Sequence, residues 1–268
     1  MRVASIAATL ACIALSLLTG VAAQADGSVD LSTTVTTLRS PANTYGPWVS
    51  TTLSVRLPPD RETGFEITNR RASDRLNPTT ARFLEINNYH KFSRAISTYI
   101  AVAAGSAPPF PQSRFAAEVD VALSKHIGLA LGGSTANDYV IGGLRQARLG
   151  LDYFFGDNYA SIRYIPTWSA LLGSSHAYSF ALRAGVPGKT TETLRLGGGG
   201  ENDASLINPL NPTLVGEVEI GASLSLQHWT RPERGYHIDV GYGSLNRSAG
   251  GQIYSALSLG GGFFFALH

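Results

Sequence analysis

The run Glu217-Val218-Glu219-Ile220-Gly221-Ala222-Ser223-Leu224-Ser225-Leu226-Gln227 puts Val218, Ile220, Ala222, Leu224 and Leu226 on one face and Glu217, Glu219, Ser223, Ser225 and Gln227 on the other. An extended chain sorts its neighbours in this way, because side chains on a β-strand point alternately to opposite faces. The same period recurs upstream. Residues 113–123 set Phe115, Ala117, Val119, Val121 and Leu123 against Glu118 and Asp120. Residues 145–153 set Ala147, Leu149, Leu151 and Tyr153 against Gln146, Arg148 and Asp152.

Followed outward, the period predicts an all-β fold: a transmembrane, antiparallel up-and-down barrel of about fourteen strands, with twelve as the fallback. Each strand is close to the ten or so residues that a tilted membrane strand needs. The spans are 28–38, 47–57, 63–71, 80–91, 95–105, 112–124, 126–134, 143–155, 158–168, 176–186, 191–200, 213–229, 235–246 and 252–266. Short turns are expected at 58–62, 93–94, 125–126, 156–158 and 187–190. Longer loops are expected between them at 39–46, 73–79, 106–111, 135–142, 169–175 and 201–212. Short turns at one rim and longer loops at the other are the habit of outer-membrane barrels. Tyr45, Trp48, Tyr153, Phe155, Trp168, Trp229 and Tyr236 fall near strand ends, where aromatic girdles lie.

Composition agrees. Charged residues make up 15% of the chain, against roughly 25% in a typical soluble domain. A net charge of +2 gives no electrostatic footprint for nucleic acid. Arg2, the apolar stretch 3–18 and Ala23-Gln24-Ala25 read as an export signal cleaved after residue 25, leaving a barrel domain at 26–268 bound for the cell outer membrane. The single cysteine, Cys12, lies inside that signal, so no thiol chemistry is expected of the mature chain. After the signal no run of about 18 apolar residues follows, and a chain without one can cross a membrane only as a closed ring of strands.

The C-terminal residues Ser258–Phe265 (SLGGGFFF) follow the polar-x-Gly-x-x-apolar-x-apolar order of a barrel-assembly signal, carried by Gly260, Phe263 and Phe265. Ile253, Leu257, Leu259, Phe263 and Phe265 then share a lipid face, and Phe264 points inward. The expected partners are the barrel-assembly machinery, outer-membrane lipid and lipopolysaccharide, with a polysaccharide as candidate solute.

Three segments also resemble, in order and spacing, the YaiO family of outer-membrane β-barrels. They are Pro109-Phe110-Pro111 ahead of the Glu118 strand, Tyr153–Arg163, and Arg183–Arg195 leading into Gly197–Gly200. The resemblance implies an outer-membrane location and a link with surface polysaccharide; it implies no settled activity.

If the apolar faces meet lipid, the opposite faces carry Arg56, Glu66, Arg70, Glu85, Glu118, Asp120, Arg148, Asp152, Arg163, Arg183, Arg195, Glu217, Glu219, His237 and Asp239. A cationic side chain on the lipid face costs about 2–4 kcal/mol at mid-depth, so charged residues are steered inward. The lumen-lining candidates are Glu118, Asp120, Arg148, Arg163, Arg183, Arg195, Glu217 and Glu219. They either pair into ladders that fill the interior or line a path for a polar or anionic glycan. The favoured function is a pore or structural barrel tied to polysaccharide export or the cell envelope.

The alternative is a barrel enzyme acting on lipid or glycan. Ser174-Ser175-His176 falls in an expected outer loop, and Glu118/Asp120 and Glu217/Glu219 each place two carboxylates about 7 Å apart along a strand. That spacing suits paired acids in glycoside hydrolysis. Adjacent Ser and His rarely share a catalytic geometry, however, and alternating acids describe a pore wall equally well. No catalytic residue is assigned. No metal or cofactor is expected either, since no acidic or histidine cluster has ligand spacing and Gly197–Gly200 opens no helix.

Overall fold

A computed structural model describes residues 27–39, 44–57, 63–74, 80–107, 110–138, 142–169, 173–200, 217–247 and 253–267. The expected export signal at 1–25, the link 58–62 and the loop 201–212 lie outside them. The strands are β1 (Gly27–Arg39), β2 (Thr44–Leu57), β3 (Thr63–Asp74), β4 (Thr80–Lys91), β5 (Ile96–Gly105), β6 (Ser113–Ala122) and β7 (Ile127–Asp138). They continue as β8 (Gly142–Phe155), β9 (Asn158–Ser169), β10 (Gly173–Val186), β11 (Thr190–Gly200), β12 (Glu217–Arg231), β13 (Arg234–Arg247) and β14 (Ile253–Leu267). Each pairs antiparallel with its chain neighbours, and β1 pairs with β14 from Gly27↔Leu267 to Arg39↔Ser255. The ring is closed and has fourteen strands, not twelve. Closure removes every strand edge, so the ladders satisfy the backbone without water.

The turns at the rim where β1 begins and β14 ends are built by local chemistry. Phe155 pairs with Asn158 across Gly156-Asp157, and Gly156 has φ 63°, the first central position of a type II′ hairpin. Pro187-Gly188, with Gly188 at φ 77°, forms a type II turn closed by Lys189 N donating to Val186 O at 3.0 Å. Ser93 and Ser124 act alike: each Oγ accepts from two backbone N–H groups at 3.1 Å, those of Ala95 and Ile96 and those of His126 and Ile127.

The opposite rim departs from expectation at two loops. Asp138 pairs with Gly142 and Ser169 with Gly173, so the ladder runs well into the expected loops 135–142 and 169–175. Gly142 and Gly173 supply the positive φ values, 69° and 75°, that tight returns need, and the ladder continues through residues that look loop-like in composition. Ser174-Ser175-His176 is therefore strand, not loop.

Outward positions are apolar along the strands: Leu31, Leu53, Ile100, Val119, Leu149, Ile162, Leu224 and Val240 are exposed, and Phe263 is 64% exposed. Phe263, Leu259 and Phe265 share this face, while Phe264 is only 7% exposed. Tyr153, Phe155 and Trp168 stand outward as girdle residues do, but Trp229 does not. Its ring packs edge-on against Phe264 at 5.0 Å, over the notch left by Gly235, where a Cβ would strike the Phe264 ring.

Candidate functional site

The inward faces of β6 to β9 form a charged wall. Register aligns Asp120, Ala130, Gly150 and Arg163 in one row. The two small residues leave the row open, and a Cβ at Gly150 would collide with the Arg163 guanidinium. Arg163 uses that space to donate to both oxygens of Asp152, at 2.7 and 3.0 Å. The two side chains are only 21% and 13% exposed. Such a bidentate pair is stronger and more directional than a point contact. Glu118, Asp120, Tyr159, Lys91 and Arg94 line the same cavity of about 550 Å³.

Further pairs link other strands, β6 to β4 across β5 and β2 to its neighbour β3. Arg114 donates to Glu85 at 2.6 Å and Arg56 to Glu66 at 3.3 Å. His237 lies between two carboxylates, its Nδ1 2.6 Å from Asp239 and its Nε2 3.2 Å from Asp30. Asp30 is on β1 and His237 on β13, so this contact spans β14 and clasps the seam where the ring closes. It is possible because Gly262, paired with both His237 and Ser32, has no side chain. A Cβ there would run into His237, Leu31 and Ser32.

Arg114 and Asp30 are charged interior positions that the sequence reading missed. Both obey the alternation of their own strands, Arg114 with Ala116 and Glu118, Asp30 with Ser28 and Ser32, and parity alone would have found them. Of the remaining candidates, Arg148 shares a register row with Gly132 and Glu118, and its Nε is buried without a partner. Arg183 is opposite Tyr159, and Arg195 is opposite Ser223 and Ala181. Glu217 and Glu219 are paired in register with Arg247 and Leu245 at the far-rim end of β12; their side chains lie outside the described set. Arg163 is thus matched to Asp152 on its own hairpin.

The other half of the interior is different. A second cavity of about 350 Å³ is lined by Ser32, Thr34, Thr36, Ser50, Thr52, Ser223 and Ser258, with Arg70 and Phe110 at its border. Phe110 reaches in from the β5–β6 connection. It is 4% exposed, stacks on Phe83 at 5.1 Å, and packs with Ala81, Ala103 and Ala107. The connection is strapped to the rim by Ser106 N donating to Arg82 O at 2.9 Å and Gln112 N donating to Asn137 O at 2.8 Å. Phe110→Ala should cost about 3 kcal/mol, the usual loss for a buried aromatic, while raising single-channel conductance. Unchanged melting and unchanged conductance would show that Phe110 neither packs nor narrows the lumen.

Ser175 and His176 point to opposite faces. Ser175 is on the inner side, and His176 faces outward, where its Nδ1 is 2.6 Å from the Tyr164 hydroxyl. The two cannot act together as nucleophile and base.

The YaiO membrane beta barrel domain matches residues 26–204. No curated protein matches the chain. Among solved structures, a CymD monoaromatic hydrocarbon channel aligns with a TM-score of 0.62 at 10% identity, over 91% of this chain and 89% of that one. A bacterial polysaccharide outer membrane secretin aligns with a TM-score of 0.50 at 7% identity, over 90% of this chain and 98% of that one. An anion-selective porin from Comamonas acidovorans aligns with a TM-score of 0.48 at 10% identity, over 91% and 99%. At such identities the likeness is one of fold.

Proposed function

The chain belongs to the YaiO family of membrane β-barrels, and from that premise we propose that it is an outer-membrane pore for uncharged or weakly charged hydrophilic solutes of the glycan class. The observation that carries the reading is the divided lumen. One half presents hydroxyls from β1, β2, β12 and β14. Hydroxyls both donate and accept, and so can replace the water around a sugar. Much of the interior charge, by contrast, is matched locally: Arg163 with Asp152, Arg114 with Glu85, Arg56 with Glu66, and His237 between Asp30 and Asp239. These ion pairs stiffen the ring, and the hydroxyl-lined half is left as the stretch of interior suited to an uncharged solute.

A role in surface polysaccharide export is the finer form of this reading. It draws on the hydroxyl-lined half and on the polysaccharide secretin among the similar folds. Proteoliposomes test it directly. They should swell in isosmotic neutral mono- and disaccharides, and Thr34→Trp or Thr52→Trp should slow that swelling severalfold while leaving the unheated gel mobility of the folded barrel intact. Liposomes that stay impermeable, with silent planar bilayers, would overturn the pore and leave a structural barrel.

A further inference from the structure

Arg71 and Arg82 are directly opposed across β3 and β4. Their neighbours Arg70 and Phe83 point inward, since the Arg70 guanidinium lies 5.8 Å from the centre of the Phe83 ring and that ring is buried against Phe110. Alternation therefore turns Arg71 and Arg82 outward, onto the face that carries Phe65, and both are exposed. They lie just below the rim marked by Asp74 and Thr80, opposite the rim where β1 begins and β14 ends.

This arrangement is costly as it stands. Like charges directly opposite one another in a sheet repel, with Cβ atoms only about 5 Å apart. Arg56, Arg114 and Arg163 each meet a carboxylate, but among the described residues neither Arg71 nor Arg82 has an acidic group within ion-pairing distance. Register extends the polar row to Thr51 on one side, and on the other the Arg82 backbone is bound to Ser106. Two guanidinium groups flanked by hydroxyls match a tetrahedral oxyanion, which accepts paired N–H donors from each fork.

We infer that Arg71 and Arg82 form a binding site for the phosphate of an outer-leaflet lipid headgroup, held at the lipid-facing rim of β3 and β4. The lipid phosphate supplies the missing counter-charge and ties this side of the barrel to its leaflet. The inference rests on outer-membrane placement but not on conduction, and lipid retention is read in detergent whether or not the barrel conducts.

The test is native mass spectrometry of the folded protein exchanged into neutral detergent with added bis-phosphorylated lipid A. The wild type should retain lipid A, and Arg71→Gln or Arg82→Gln should each weaken retention about tenfold, the loss expected for a charge-assisted contact. The double variant should fall to background with its unheated gel mobility unchanged, because both side chains leave the barrel wall. Arg145→Gln removes an exposed arginine that faces Trp168 and Thr135 across its strand pairs, and should have no effect. Equal retention of dephosphorylated lipid A, or undiminished retention by the double variant, would overturn the site. Full displacement by an equal concentration of inorganic phosphate would overturn the lipid as its source.

Discussion

Gly262→Val should leave little or no folded barrel. The valine side chain would enter the space through which His237 reaches Asp30, and its Cβ alone would overlap His237, Leu31 and Ser32. Overpacking at such a site costs about 1–3 kcal/mol. Displacing His237 also strands Asp30 and Asp239, which are 31% and 38% exposed, so solvent screening brings this loss below the about 3–5 kcal/mol of a fully buried pair. Together the two losses take away a large part of the about 5–15 kcal/mol that holds an ordinary domain folded. Gly261 supplies the control. It faces the other way, and a Cβ there would meet only the His237 carbonyl, at 3.2 Å. Gly261→Ala should therefore insert and show heat-modifiable gel mobility, where Gly262→Val should not. His237→Gln should reproduce part of the loss, and its combination with Gly262→Val should add little, because both remove the same clasp. If Gly262→Val folds and melts as the wild type does, the seam does not depend on His237.

The strands were legible because each had one face to hide, and a period of two survives any error of a few residues at its ends. The charged interior was legible for the same reason: Glu118, Arg148 and Arg163 are opposite in parity to Val119, Leu149 and Ile162. The partners were harder. Parity alone lets Arg163 meet Glu118, Asp120 or Asp152, and the register with β8 decides among them. That register follows from the Gly156-Asp157 turn, which sets Phe155 against Asn158 and hence Asp152 against Ser161, one diagonal step from Arg163. A careful reading of the hairpin could have reached it. The His237–Asp30 contact could not be found that way, since the two residues are far apart in the chain and meet only across the closed seam. Trp229 and Phe110 misled in another manner. An aromatic near a strand end reads as a girdle or loop residue, and only the opposing Gly235 or Phe83 shows that it turns inward.

Arg163→Glu should produce the second large effect, and it separates a charged wall that stabilises from one that conducts. The new carboxylate would face Asp152 at the site of the lost bidentate pair, in a cavity that already holds Glu118 and Asp120. Leaving a desolvated carboxylate without its partner costs about 3–5 kcal/mol, and like-charge repulsion adds to that. The detergent-solubilised barrel should melt well below the wild type. Asp152→Asn, which keeps the shape and one acceptor, should cost less, because the guanidinium can still turn toward Asp120. The exchange Asp152→Arg with Arg163→Asp should recover much of the loss, since Gly150 leaves room for a long side chain over the same row. Whatever Arg163→Glu protein does insert should pass cations more readily than the wild type, because charges lining a narrow lumen set selectivity at close range. Normal stability together with wild-type selectivity would mean that Arg163 neither braces the wall nor borders the path. Reduced stability with no conductance in either protein would mean that this wall is a brace only, and the sugar path through the hydroxyl half would have to be abandoned with it.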